Sequence, residues 1–264
     1  MLSSTVRIAR KEVVDHLRDA RSLISSAFYI LMGPSVVALV AIAVQKSNRP
    51  ASNPGFLLQM AVVFTLVSSF VGEMNLAMDT IAGERERRSL LPLLINPVSR
   101  LEIAVGKWLA TSLYGVGGVI LNLLGFTLAF TVSNTPISIA GRSTPLIVAV
   151  LFGLVPLALL AAALELLIST FCRSIKEAHT YLSFLLFVPV SIGMFLAFFP
   201  QLSHGGWFLV PMVGQQFLME LSIRGEGTLL LRSAALGLVT LAMTGLVLLG
   251  TTNRLRRDEI IYGN

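Results

Sequence analysis

Three ionisable side chains stand inside runs that are otherwise apolar: Glu73, Lys107 and Glu165. Charges in such surroundings are costly and are kept where they pair, reach toward water, or handle protons and cations. Glu73 and Glu165 each lie about five residues from the same-side end of their apolar runs, roughly 7 Å along a helix rising 1.5 Å per residue. Lys107 sits at a similar depth, so the spacing predicts that the three meet at one level. Two readings stay open: a cation or proton path, or groups that simply pair or extend to the membrane interface.

The other chemistry-bearing stretch is GERERRSLLPLLINPVSR, residues 83–100. Glu84, Arg85, Glu86, Arg87 and Arg88 alternate in sign, a pattern for a solvated helix end or a docking surface and not for burial in lipid. Leu90, Leu91, Leu93, Leu94 and Ile95 then form a compact apolar patch. Pro92 can begin a helical turn, where no backbone donor is needed, and Pro97 ends the segment. The expected product is a short helix over 83–98. Immediately after it, Ser99 and Glu102 have the spacing of a capping box and predict a sharp helix start.

These residues are held by elements that the composition restricts severely. Of 264 residues, 55% are apolar and 13% charged, and the mean hydropathy is +0.80. Six apolar segments, 23–44, 56–78, 103–132, 145–170, 181–199 and 229–251, are each long enough to cross a bilayer. The links between them are too short for a soluble catalytic domain, so residues 1–264 read as a single membrane domain. The fold class expected is all-α polytopic, with six transmembrane helices.

Basic residues mark the cytoplasmic side of short loops. Fifteen of the 20 fall on one side: Arg7, Arg10, Lys11, Arg18 and Arg21 before the first span; Arg85, Arg87, Arg88, Arg100 and Lys107 around the second link; Arg173 and Lys176 in the fourth; Arg254, Arg256 and Arg257 in the tail. Both termini and the 83–98 segment are therefore expected in the cytoplasm. This distribution, with anionic lipid headgroups as the counterpart, accounts for the net charge of +6 without a nucleic-acid partner. In 5–22, Val6, Ala9, Val13, Leu17 and Ala20 recur at helical spacing while charged residues fill the other faces. That predicts an amphipathic helix in the membrane interface, with a solvated extension of the first span as the alternative.

Other chemistries find little support. Cys172 is the sole cysteine, and His16, His179 and His204 are far apart, which suggests neither a disulfide nor a metal cluster. Gly115, Gly117 and Gly118 sit in an apolar run without the lysine of a phosphate-binding loop, and no hydrolase or zinc-protease motif occurs. The charged N-terminus lacks the pattern of a cleaved signal and is expected to be mature sequence. Asn75 and Asn122 are expected to hydrogen-bond between helices, and Trp207 to lie in an aromatic belt.

AGERERRSLLPLLINPVSRLEIAVGKWLA, 82–110, resembles the corresponding stretch of type-2 ABC transporter permeases, particularly the sodium-extrusion, NatB-like branch. FCRSIKEAHTYLS, 171–183, is similar to that branch's segment between spans four and five, and FLVPMVGQQFLMEL, 208–221, to its external segment before the last span. The link 45–55 is shorter than is usual in that branch. The resemblance implies an exporter subunit that pairs with a second permease chain, identical or related, above two ATP-binding subunits. Those subunits would hold ATP and Mg, with no cofactor bound by this chain. It also implies an N-terminal connecting helix and a coupling surface of Gly83, Glu84, Arg85, Glu86, Arg87, Leu90, Leu91, Leu94 and Pro97, joined by Arg173, Lys176 and Glu177. The location implied is the bacterial or archaeal plasma membrane. Sodium, peptides, lipids and drugs are the substrate classes left open, and a non-transporting scaffold driven by the same ATPase is the alternative.

Overall fold

The computed structural model describes residues 2–46, 54–90, 92, 97–133, 143–199, 205–224 and 230–256. Helix α1 runs Leu2–Arg18 and α2 Ala20–Lys46. Asp19 separates them, its Oδ1 accepting from the backbone N–H of Arg21 (3.2 Å) and Ser22 (3.4 Å), which are orphan donors at the start of α2. Helix α3, Pro54–Met78, widens into a π-helical turn over Asp79–Gly83 and ends in the turn Glu84–Glu86. Helix α4 is Arg100–Val132. The predicted capping box is present: Ser99 Oγ accepts from Glu102 N at 3.2 Å, and Glu102 Oε2 accepts from Ser99 N at 3.0 Å.

Helix α5 comes in three consecutive pieces, Ser143–Ala149, a π-helical Val150–Leu154 and Val155–Phe171. Pro156 accounts for the irregular middle, because it cannot donate to the carbonyl of Phe152. Helix α6 is Ile175–Phe198, α7 Val213–Arg224 and α8 Leu230–Arg254, with a short 3-10 turn at Gly205–Leu209 before α7. Among the described residues, six helices, α2 to α6 and α8, are long and apolar enough to cross a membrane. The protein is an all-α, multi-pass membrane protein, as expected from its composition. The fifth span begins earlier than the apolar run suggested, at Ile175, because Ser174 caps it by accepting from Glu177 N at 3.3 Å.

Helices α3 and α5 form the interior. Val62, Leu66 and Phe70 of α3 interlock with Leu154, Leu157 and Ala161 of α5. Helix α4 crosses both, α2 and α6 flank α3, and α8 lies on α5. Asn75 Nδ2 donates to Ser25 Oγ (3.0 Å) and Ser26 Oγ (2.9 Å) of α2, and Asn122 Nδ2 to the Ile30 carbonyl at 2.9 Å. These are the interhelical bonds expected of amides within apolar spans. Trp207 is exposed, as a belt residue requires.

Helix α1 packs on α4 by a face other than its apolar stripe. Val6 and Leu17 point outward, more than half exposed, while Glu12 and His16 are buried. The contact is close at Gly106, where a Cβ would come within 2.9 Å of the Ile8 side chain and 3.0 Å of the Thr5 carbonyl.

Candidate functional site

The charged end of the bundle is organised around Lys107. Its side chain is 1% exposed, with Nζ 2.9 Å from Glu12 Oε1, 2.8 Å from Glu84 Oε2 and donating to the Thr80 carbonyl at 2.6 Å. Lys11 closes the group from the solvent side, 3.3 Å from Glu84 Oε1 and 3.4 Å from Glu12 Oε1. Two cations thus balance two carboxylates. The cluster ties α1 and the turn after α3 to the first turns of α4. Burial draws the Lys11 pKa down, but the Glu12 and Glu84 carboxylates outweigh it and leave the group above its ordinary value.

The geometry that brings Glu84 inward begins in the π-helical turn. Such a wide turn changes the angular register of the residues beyond it, and residues 81–84 are buried while 86–89 are exposed. The chain is then stopped by a Schellman arrangement: Arg88 N donates to the Arg85 carbonyl (3.0 Å) and Ser89 N to the Glu84 carbonyl (2.8 Å), with Arg88 at φ 56°. Arg87 donates to Asp79 Oδ1 at 2.8 Å, and this bond, set against partial burial, raises its pKa.

The residues expected at the coupling surface divide accordingly. Gly83, Glu84 and Leu90 are buried, Arg85 is half-buried, and Glu86, Arg87 and Pro97 are exposed. Leu90 packs with Ile103, Ala104 and Leu255 and therefore serves the interior. Leu91 and Leu94 lie outside the described residues, as does most of the apolar run expected to form a helix. The second expected loop is fastened to the first: Arg85 donates to the Cys172 carbonyl (3.3 Å), and Glu86 Oε2 accepts from Ile175 N (2.8 Å). Arg173 and Lys176 are exposed beside it, while Glu177 is half-buried and accepts from Arg173 N at 2.7 Å. Burial pushes the Cys172 thiol up to about 11.

Deeper in the bundle, Glu73 and Glu165 are both fully buried. Lys107 does not join them, because Glu12 and Glu84 hold its ammonium. Glu12 is the member of the Lys107 cluster that the sequence pattern did not single out. Its signal was present: Thr5, Ile8, Glu12 and His16 recur at helical spacing on one face, alongside the apolar stripe that drew attention.

Fold and site together define a multi-pass membrane protein whose charged end is clamped by a buried ion cluster. Residues 6–221 match the model described as ABC-2 family transporter protein. The chain is also 33% identical over 200 residues to the ABC transporter permease protein NatB of Bacillus subtilis (strain 168), an alignment covering 70% of this chain and 50% of that protein. It thus spans half the length of that curated relative. This chain belongs to the ABC-2 transporter family and is a NatB-like, type-2 ABC permease chain.

Proposed function

We propose that this chain is the membrane subunit of an ATP-driven exporter. Two permease chains, identical or related, form the pathway between them, and two ATP-binding subunits dock against the end that carries the basic residues. That end faces the cytoplasm of a bacterial or archaeal cell, by the distribution of Lys and Arg. ATP and Mg are held by the docked subunits, and their closure is passed upward as rigid-body movement. The transported substrate is a sodium ion, a peptide, a lipid or a drug.

The observation that carries this reading is the Lys107 cluster. Lys107 joins the turn after α3, through Glu84, to α1, through Glu12, at the root of α4. A push on the exposed 86–89 turn is delivered through that joint to a helix that packs against α2, α3 and α5. The second loop moves with it through Glu86 and Arg85.

Charge reversal of the exposed cations Arg88, Arg173 and Lys176 tests the docking surface without touching the buried cluster. In the reconstituted complex, co-purification of the ATP-binding subunit should fall by about tenfold, as expected when rim charges are inverted. Full binding and undiminished nucleotide-dependent flux in the triple variant would overturn the assignment. ATPase stimulation without flux of any substrate class would favour a scaffold.

A further inference from the structure

Beside the junction of α1 and α2, a groove of about 460 Å³ opens between α1, α2, α3 and α4. Its walls are apolar: Val13 and Leu17 of α1, Leu23 and Ala27 of α2, and Leu113 and Leu121 of α4. The two hydroxyls that line it are already engaged, Ser26 Oγ accepting from Asn75 Nδ2 at 2.9 Å and the Tyr114 hydroxyl donating to the Val13 carbonyl at 3.1 Å. Glycines make the floor. At Gly118 a Cβ would stand 2.9 Å from the Gly72 Cα, so α3 and α4 meet there backbone to backbone, whereas at Gly117 a Cβ would meet nothing within 4 Å. The groove thus offers depth and apolar contact to an occupant that needs no polar partner inside it.

Its length and place suit a single leaflet. From Leu113 to Leu121, α4 rises about 12 Å at 1.5 Å per residue, within the roughly 15 Å that half of a bilayer core supplies. The groove begins at the last turns of α1, whose apolar stripe points outward at Val6 and Leu17. That end carries positive charge. Arg10 lies two turns before Leu17 on the same stripe, Arg18 follows Leu17 at the end of the helix, and both are exposed. The carboxylates of this stretch are taken up elsewhere: Asp15 Oδ2 lies 3.8 Å from Lys11 Nζ, and Asp19 accepts from the backbone of Arg21 and Ser22. An apolar slot one leaflet deep, with two guanidinium groups at its mouth, is complementary to an acyl chain beneath a phosphate.

We propose that this groove seats one acyl chain of an anionic phospholipid from the leaflet at the charged end of the bundle, with Arg10 and Arg18 holding the headgroup phosphate. The acyl chain fills the open space over Gly117, and the headgroup ties the end of α1 to the membrane surface. A zwitterionic lipid offers the same acyl chain without a net charge for the arginines to attract, so the seat selects by headgroup. This is a defined place for one lipid, beyond the diffuse attraction between basic residues and a membrane. It does not depend on the exporter reading, since it is a property of the chain alone.

The test uses the full chain, delipidated in detergent and titrated with phosphatidylglycerol or phosphatidylcholine carrying a photoreactive diazirine in one acyl chain. Irradiation should place the label within residues 113–121 or 13–27, with a half-saturating concentration of phosphatidylglycerol about 25-fold below that of phosphatidylcholine, roughly fivefold from each arginine. Arg10→Gln/Arg18→Gln, at two exposed positions, should remove that preference and leave labelling of the groove at high lipid. Gly117→Leu puts a side chain into the open space and should abolish labelling there by both lipids, with circular dichroism matching the parent chain. The proposal is overturned if the two lipids label the groove alike in the parent chain, if the double arginine variant keeps the preference, or if labelling survives in Gly117→Leu. It is equally overturned if the groove stays unlabelled at every lipid concentration, whether empty or covered by a second copy, which size-exclusion chromatography would show as a dimer.

Discussion

Lys107 Nζ stands 2.8 Å from Glu84 Oε2, with both residues buried, although 23 positions of chain separate them. The contact fixes the turn after α3 to the root of α4, and Glu12 at 2.9 Å adds α1 to the same joint. Removing one partner leaves the other charges buried and uncompensated, which costs far more than the pair itself contributes.

Lys107→Met should therefore destabilise the protein by about 3–5 kcal/mol. Thermal unfolding in nanodiscs measures it. The triple variant Lys107→Met, Glu12→Gln, Glu84→Gln removes the charges together and should recover most of the loss. A single Lys107→Met as stable as the parent chain would show that the cluster carries no weight.

His16 is buried against α4, its ring edge-on to Tyr114 at 4.6 Å and its Nε2 3.5 Å from Ser22 Oγ. Burial lowers its pKa below the ordinary 6.5, outweighing the opposite pull of Asp19 and Asp79. The docked state thus favours the neutral ring. Its contribution to stability is complete above about pH 6.5 and is lost as pH falls through the lowered value. Protection of α1 amides, corrected for the intrinsic pH dependence of exchange, should fall in that window, and His16→Phe should flatten the dependence. Equal protection factors at pH 7.5 and pH 5 would contradict it.

Cys172 is fully buried, its Sγ donates to the Ile168 carbonyl at 3.4 Å, and its thiol is held at about 11. Only the thiolate reacts, so maleimide at neutral pH should leave the folded chain unlabelled and react after denaturation. Rapid labelling of the native chain would show that the loop joining α5 and α6 opens.

At Gly106, α4 makes close contact with Ile8 and Thr5 of α1. Gly106→Val should cost about 1–3 kcal/mol through overpacking against Ile8, with the loss concentrated in α1. Protease cleavage within α1 is the readout, and it should rise sharply over the parent chain.

The Ser99 cap gives a smaller effect. Ser99→Ala should cost about 1 kcal/mol, because Glu102 N loses its acceptor. Ser99→Asp, which keeps an acceptor, should restore most of it in the same unfolding measurement.

Local physics explains which parts were legible. A run of some twenty apolar residues announces a span whatever surrounds it, and a capping box is complete within four residues. The interhelical roles of Asn75 and Asn122 followed from their cost in lipid. Helix α6 starts ahead of the apolar run 181–199 because Ser174 caps it, and Lys176, Glu177, His179 and Thr180 interrupt the apolar pattern of its first turns.

The sequence by itself determined the class, the six spans, the side that carries the charge and the helix start at Ser99, because each depends on neighbours along one chain segment. Only the tertiary structure decided that Lys107 belongs to Glu12 and Glu84 while Glu73 packs against Gly115 of α4. Spacing along a helix tells which side of that helix a residue occupies. Which residues then meet depends on the register of the π-helical turn before Glu84 and on the close crossing that Gly106 permits, and both are set by packing between helices far apart in sequence.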